Sequence, residues 1–247
     1  MKIIVSPAKK MKVDDVLPWQ DLPPFLEKTG RLLEALRAMP YDRLKALWKC
    51  NDSIAEENLR RLETMDLRRN LTPAILSYEG IQYRYMAPDV FTAREVDYLQ
   101  QRLRILSGFY GLLRPFDGVR PYRLEMQAKL SVDGAKDLYE FWGADLASAL
   151  ADGTDWVLDL ASKEYSAAVE KHLPASVPLV RCVFGEEQEG KVVEKGTLCK
   201  MARGEMVRFM AETGAARPED LQAFDRLGYR FSPRHSAENT LVFLRGE

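Results

Sequence analysis

The sequence predicts a single mixed α/β (α+β) domain over residues 1–247, with a central mixed sheet flanked by helices. Three observations carry that prediction. Lys2-Ile-Ile-Val5 and Trp156-Val-Leu-Asp-Leu-Ala161 are short apolar runs, the pattern of strands covered on both faces. Segments with helical apolar spacing lie between and after them. No repeat, low-complexity tract or linker divides the chain. A composition of 46% apolar and 30% charged residues is that of a globular protein rather than a disordered one. No stretch approaches the roughly 18 apolar residues of a membrane span, and Met1-Lys-Ile-Ile-Val-Ser-Pro7 is too short and too soon broken for a secretory signal.

Val5 feeds the loop Ser6-Pro-Ala-Lys9, which lies just past a strand's carboxyl end, where open α/β sheets bind ligands. Pro18, Pro23 and Pro24 keep the next stretch non-helical. A helical arm at about 25–66 packs on the same domain. Phe25, Leu26, Leu32, Leu33 and Leu36 predict its first helix, ended by Pro40. Further helices are expected over 41–49 and 52–65, the latter capped by Asp52. Pro73 opens a strand at 74–78, followed by an aromatic-basic turn at Tyr83, Arg84 and Tyr85. Thr92 and Glu95 form a capping box, and Val96, Leu99, Leu103 and Leu106 an apolar stripe, so a helix should run to Leu106 and end at Gly108. Leu138, Phe141, Trp142, Leu146 and Leu150 predict one helix over 137–150. The strand at 156–161 leads into a helix over 162–172 with Ser162 as its cap. A hairpin at 179–195, a helix at 199–213, a short helix at 218–224 and strands at 228–231 and 240–244 close the domain.

Residues 103–126 pack Gly108, Gly111 and Gly118 among aromatics and arginines. Between 102 and 126 five arginines face Asp117 and Glu125, a net of +3; residues 133–159 carry seven acids against Lys136, a net of −6. Either the two runs pair, or they leave one positive face on a chain of net charge −1. A glycine turn with free N–H groups beside arginines is an anion site; the plainer alternative is a surface turn with solvated arginines.

Ser6 and Lys9 fit the bare S-x-x-K pattern of serine acyltransferases, but Lys28-Thr-Gly30 follows too closely and no Ser-Asp-Asn occurs. Lys9 therefore reads as a cationic ligand contact or as solvent-exposed. Asp159, inside an apolar strand, needs a partner if buried. Lys200, Arg203 and Arg208 share one helix, the first two on one face. Three cysteines without a C-x-x-C pair and two distant histidines indicate neither a disulfide framework nor a metal centre, and favour a reducing, cytoplasmic compartment. P-loop, G-x-G-x-x-G and H-E-x-x-H motifs are missing. No cofactor, metal or membrane is expected.

Several blocks together resemble the YaaA family of bacterial peroxide stress proteins. They are Ser6-Pro-Ala-Lys9, Leu103-Arg-x-Leu-Ser-Gly-x-Tyr-Gly-x-Leu-Arg-Pro115, Pro121-Tyr-Arg-Leu-Glu-Met126, Lys136-Asp-Leu-Tyr-x-Phe-Trp-Gly143, Leu160-Ala-Ser-x-Glu-Tyr165 and Ala202-Arg-Gly204. The resemblance implies a cytoplasmic protein of the oxidative-stress response that limits free intracellular iron. It also implies an unusual single-domain α/β fold that binds double-stranded or structured DNA. A positively charged cleft and a helix-hairpin-helix-like element near 92–120 go with that fold, and no stable protein partner is implied. On this reading the turn at Ser107, Gly108 and Gly111 contacts phosphates together with Arg104, Arg114, Arg120 and Arg123. Lys9, Lys200 and Arg203 extend the surface, and the contacts are independent of base sequence. The rival reading is an enzyme acting on a nucleotide, nucleobase or other phosphorylated small molecule, with Lys9, Asp159 and Tyr165 as its reactive set. Direct iron handling is a third reading, opposed by the paucity of histidine and paired cysteine.

Overall fold

The computed structural model describes residues 1–14 and 16–246. Its centre is β1 (Lys2–Val5), whose Ile3, Ile4 and Val5 are wholly buried because both faces of the sheet are covered. The short β2 (Lys10–Met11) follows the first loop. Helices α1 (Leu26–Arg37), α2 (Tyr41–Trp48) and α3 (Asp52–Glu63) then form the arm. Its stripe of Leu32, Leu36, Leu44, Trp48 and Leu62 joins the same core as the sheet. Asn51, rather than Asp52, caps α3: its side chain accepts the Ile54 N–H at 3.0 Å. Asp52 sits in the first turn and accepts from Lys45 and Tyr41 instead.

The strand expected at 74–78 is replaced by β3 (Thr72–Pro73), a single helical turn α4 (Ala74–Ser77) and β4 (Tyr78–Glu79), which pairs with β2. All four α4 residues are buried, so no alternation existed to tell helix from strand. The Ala74 and Ile75 N–H groups donate to Asp117 and Pro115 carbonyls, each at 2.9 Å, which holds the turn. Next come α5 (Ile81–Met86) and α6 (Ala93–Arg102), the latter opened by the predicted capping box of Thr92 and Glu95.

Helix α6 stops at Arg102, and the chain enters β5 (Leu103–Ser107), a turn, and β6 (Gly111–Leu113). Residues 92–120 are thus helix–strand–turn–strand, which corrects the helix-hairpin-helix expectation and the helix end at Gly108. Leu103 and Leu106 fit a helical stripe, but Ile105 is buried with them, as in a strand covered on both faces. That strand pairs in parallel with β1, Ile3 against Leu103 and Val5 against Ile105.

Beyond β7 (Gly118–Val119), the predicted helix over 137–150 is two helices, α7 (Leu138–Trp142) and α8 (Asp145–Ala151). Gly143 breaks it, at φ +52°. Then follow β8 (Val157–Leu160), α9 (Lys163–Glu170), β9 (Leu179–Gln188), β10 (Lys191–Val193), α10 (Gly196–Thr213), β11 (Tyr229–Phe231) and β12 (Thr240–Arg245), close to their predicted places. The sheet runs β11-β12-β9-β8-β1-β5-β6, with β10 paired to β9. Strands β12, β9, β8, β1 and β5 are parallel, and the antiparallel β11, β6 and β10 make the sheet mixed. After β1 the chain goes first to β5 on one side and later to β8 on the other, so β1 and β8 flank a topological switch point. Ligands of open α/β sheets sit outside the strands' carboxyl ends at such a point. Among the described residues no helix is long and apolar enough to cross a membrane.

Candidate functional site

A cleft of about 510 Å³ opens at the carboxyl ends of β1 and β8. Its floor is a serine clasp. The Ser162 N–H donates to Ser6 Oγ at 2.8 Å, and the Ser6 hydroxyl lies 3.2 Å from Ser162 Oγ. Ser162 stands at the N-cap position of α9 but makes no side-chain cap, a correction of the sequence reading. Tyr83 donates its hydroxyl to the Ser6 carbonyl at 3.0 Å, tying α5 to the same loop.

One wall is the crossing of α5 and α10. A Cβ on Gly204 would come 2.1 Å from the Gln82 carbonyl, so only glycine lets the two backbones meet. That contact sets Lys200 and Arg203 beside Gln82 on the cleft. Residues 122–125 form the facing wall. Tyr122 is anchored through its hydroxyl to Ser107 Oγ at 2.6 Å and to Tyr78 at 2.9 Å.

Cations and carboxylates alternate around the cleft. Lys9 pairs with Glu125 at 3.0 Å and Lys10 with Glu79 at 3.0 Å. Arg123 lies 3.7 Å from Glu125 and also donates to the Trp48 carbonyl at 3.2 Å. Arg203 has a loose pair with Glu194 at 3.7 Å. Its Nε and the Gln82 Nε2 are buried donors without a hydrogen-bond partner among the described residues. Burial raises the Glu164 carboxyl above its ordinary range, the Gln127 N–H opposing and Glu125 adding to the shift. Burial also pushes the Tyr165 phenol far up, so it stays protonated.

The fold therefore gathers Lys9, Arg123, Lys200, Arg203 and Tyr165 from the sequence candidates. It separates the others. Ser107, Gly108 and Gly111 lie inside the protein, and Ser107 Oγ accepts the Phe109 and Tyr110 N–H groups at 3.2 and 2.8 Å. Those glycines do permit close approach, but to the protein itself. A Cβ on Gly108 would sit 2.6 Å from the Leu124 carbonyl, and one on Gly111, at φ +77°, 2.9 Å from the Trp142 ring. Arg104 donates to the Gln100 and Leu103 carbonyls at 3.2 and 2.7 Å. Arg114 pairs with Asp21 at 3.5 Å, and Arg120 donates to the Asn70 carbonyl at 2.9 Å.

Arg104 and Arg114 belong with Lys2 and Arg102 to a second cationic cluster, toward the amino ends of β1 and β5. Burial and then these three arginines lower the Lys2 pKa, and burial with Arg114 lowers that of Arg104 to about 10. Asp159 is buried away from the cleft. It accepts from Ser166 Oγ at 2.8 Å, from the Ala161 N–H at 2.9 Å and from Arg181 Nε at 3.1 Å, a structural role.

Sequence reasoning missed Ser6 as a clasp, and Gln82, Tyr122, Glu125 and Glu164 as lining. Ser6 and Glu125 lay inside motifs already singled out, whereas nothing in the local sequence marks Gln82. Among the described residues no group of three or more His, Cys, Asp or Glu side chains is arranged to hold a metal. Burial drives the Cys199 thiol up to about 11, the opposite of a peroxide-reactive thiolate.

Comparison with known proteins gives the lineage of this architecture. A family model described as "Peroxide stress protein YaaA" matches residues 1–235. A UPF0246 protein of Lachnoclostridium phytofermentans is 51% identical over 248 residues, covering 100% of this chain and 97% of its own. UPF0246 proteins of Desulfitobacterium hafniense and Agathobacter rectalis are each 52% identical over 246 residues. Each alignment covers 99% of this chain, and 98% and 99% of the respective relative.

Proposed function

From the premise that the chain belongs to the YaaA peroxide stress protein family, we propose that it serves that response in the cytoplasm by binding DNA through phosphate contacts at this cleft. It thereby limits free intracellular iron and oxidative damage. The observation that carries the reading is the convergence of Lys9, Lys10, Arg123, Lys200 and Arg203 on one cleft from three separate stretches of chain. Against Glu79, Glu125 and Glu164 they leave a local excess of positive charge. Such contacts hold a backbone without reading its bases.

The test is duplex DNA binding across a salt series for the wild type and for Lys200→Ala with Arg203→Ala. The expected result is binding that weakens steeply with salt, with a slope shallower by about 0.9 per phosphate contact removed. A double variant indistinguishable from the wild type would remove these residues from the interface.

A second reading, an enzyme acting on a nucleotide or other phosphorylated small molecule, is favoured by the location of the cleft at the sheet's switch point. Its reactive groups would be Lys9, Tyr165, Glu125 and Glu164, since Asp159 lies elsewhere.

A further inference from the structure

We propose that the cleft holds one unstacked nucleotide, its phosphate at the α5–α10 crossing and an amino-bearing base facing Glu164. The proposal deepens the reading above, on which the phosphate end rests.

Two residues that line the cleft carry donors without an acceptor among the described residues: Gln82 Nε2, on a residue only 7% exposed, and Arg203 Nε. Both lie just beneath the surface, so that a turn of the side chain is needed to present them to a ligand. Buried donors without partners are rare in native proteins and cost stability until something accepts from them. These two come from different helices. They are neighbours only because Gly204, beside Arg203, lets α10 touch the Gln82 backbone. Lys200, one turn earlier on α10, adds an exposed ammonium that makes no ion pair among the described residues. Unused donors with excess positive charge are the complement of a phosphate.

The other end of the cleft has the opposite imbalance. Glu125 is neutralised by Lys9 at 3.0 Å and, more loosely, by Arg123 at 3.7 Å. The Glu164 carboxylate accepts the Gln127 N–H at 3.2 Å but forms no ion pair among the described residues. A carboxylate with acceptor capacity to spare matches the exocyclic amine of cytosine, adenine or guanine. Tyr83, Tyr122, Leu124 and Tyr165 also line the cleft and supply an aromatic and apolar wall for a base ring. A volume of about 510 Å³ suits one such ligand, whereas a duplex would lie across the rim of the cleft rather than inside it. The nucleotide can arrive free or be turned out of a DNA strand.

The experiment titrates the purified protein at low salt with the 5′-monophosphates of adenosine, cytidine and uridine and with inorganic phosphate. The amino-bearing nucleotides should bind more tightly than the uridine one. Gln82→Leu and Arg203→Ala should each weaken them by about tenfold. Glu164→Gln should abolish the preference among bases while leaving phosphate binding in place. Gln82→Glu, matched in size, should act like Gln82→Leu, and thermal melting of every variant excludes misfolding as the cause.

A duplex with an unpaired 2-aminopurine separates the two sources. A rise in its fluorescence on binding identifies a nucleotide drawn from the strand, and monophosphate binding without that rise identifies a free one. Duplex binding with neither monophosphate binding nor a fluorescence change overturns this inference and leaves the phosphate-contact reading standing. Monophosphate binding without any DNA binding does the reverse. Inorganic phosphate bound as tightly as the nucleotides, with Glu164→Gln silent, overturns the base half of the proposal.

Discussion

The two cationic clusters at opposite ends of the parallel strands carry similar charge, yet their donors are differently employed. At the amino ends Lys2 donates to the Gln101 carbonyl at 2.8 Å, Arg104 bonds two backbone carbonyls, and Arg114 faces Asp21 at 3.5 Å. At the carboxyl ends Gln82 and Arg203 each keep a buried donor unused. A guanidinium already bonded to carbonyls must break those bonds to bind a phosphate, and the net gain is then small. The clusters thus differ in how their donors are employed rather than in charge, and that difference is why the proposed ligand is assigned to the carboxyl-end cleft.

The comparison can be broken most forcefully at Gly204. Gly204→Val places its branched side chain where even a Cβ would lie 2.1 Å from a backbone carbonyl. It should cost about 3 kcal/mol or more in urea denaturation and abolish ligand binding at the cleft. Asp159→Ala should cost about 2 kcal/mol, because it strands the Ala161 N–H and leaves the Ser166 hydroxyl only its weaker bond to the Ser162 carbonyl, while the half-exposed Arg181 recovers water. Cleft affinity in that variant should persist, and its loss would return Asp159 to the reactive set.

Asp117, in the amino-end cluster, tests the electrostatics. Burial raises its carboxyl from 3.8 to about 7, against the opposing effect of Arg114. The native state then holds the proton more tightly than the unfolded chain. This group's contribution therefore favours folding most at acid pH, declines as pH rises from about 4 to about 7, and levels off above. Asp117→Asn should flatten that slope, adding about 1 kcal/mol of stability at pH 8 and nothing near pH 4 in parallel melts. The smallest effect is expected from Arg114→Ala, which should leave nucleotide and DNA affinity within about twofold of the wild type. A loss comparable to that of Arg203→Ala would show that the amino-end cluster also binds.

The sheet was legible because β1 and β8 are apolar but for Lys2 and Asp159, and the start of α6 was legible because Thr92 and Glu95 cap it locally. Two errors have one cause. Residues 74–77 and 103–106 are apolar apart from Ser77 and Arg104 and are fully or mostly buried, so periodicity could not separate helix from strand, and tertiary pairing with β1 decided the second. The location of the candidate cleft was legible in Ser6 and Lys9, which follow a strand. Its composition was only half so. The dense arginine-glycine run looked like one feature, but the fold sends Arg123 to the cleft and Arg104 and Arg114 to the other cluster. Gln82 has no signature, because its significance comes from a helix over a hundred residues away.

The serine clasp joins residues 156 positions apart, and the cleft is finished only by Lys200 and Arg203 on α10. During synthesis, then, no emerging polypeptide can present the site until those residues have cleared the ribosome. Contacts of such long span also form late in refolding, since the intervening loop must first be closed. Ligand binding should accordingly be the last property recovered after dilution from denaturant, trailing the return of helix signal. A product truncated before α10 would keep Lys9, Lys10 and Arg123 but lack Lys200 and Arg203, and on the proposed reading should fail to engage the ligand.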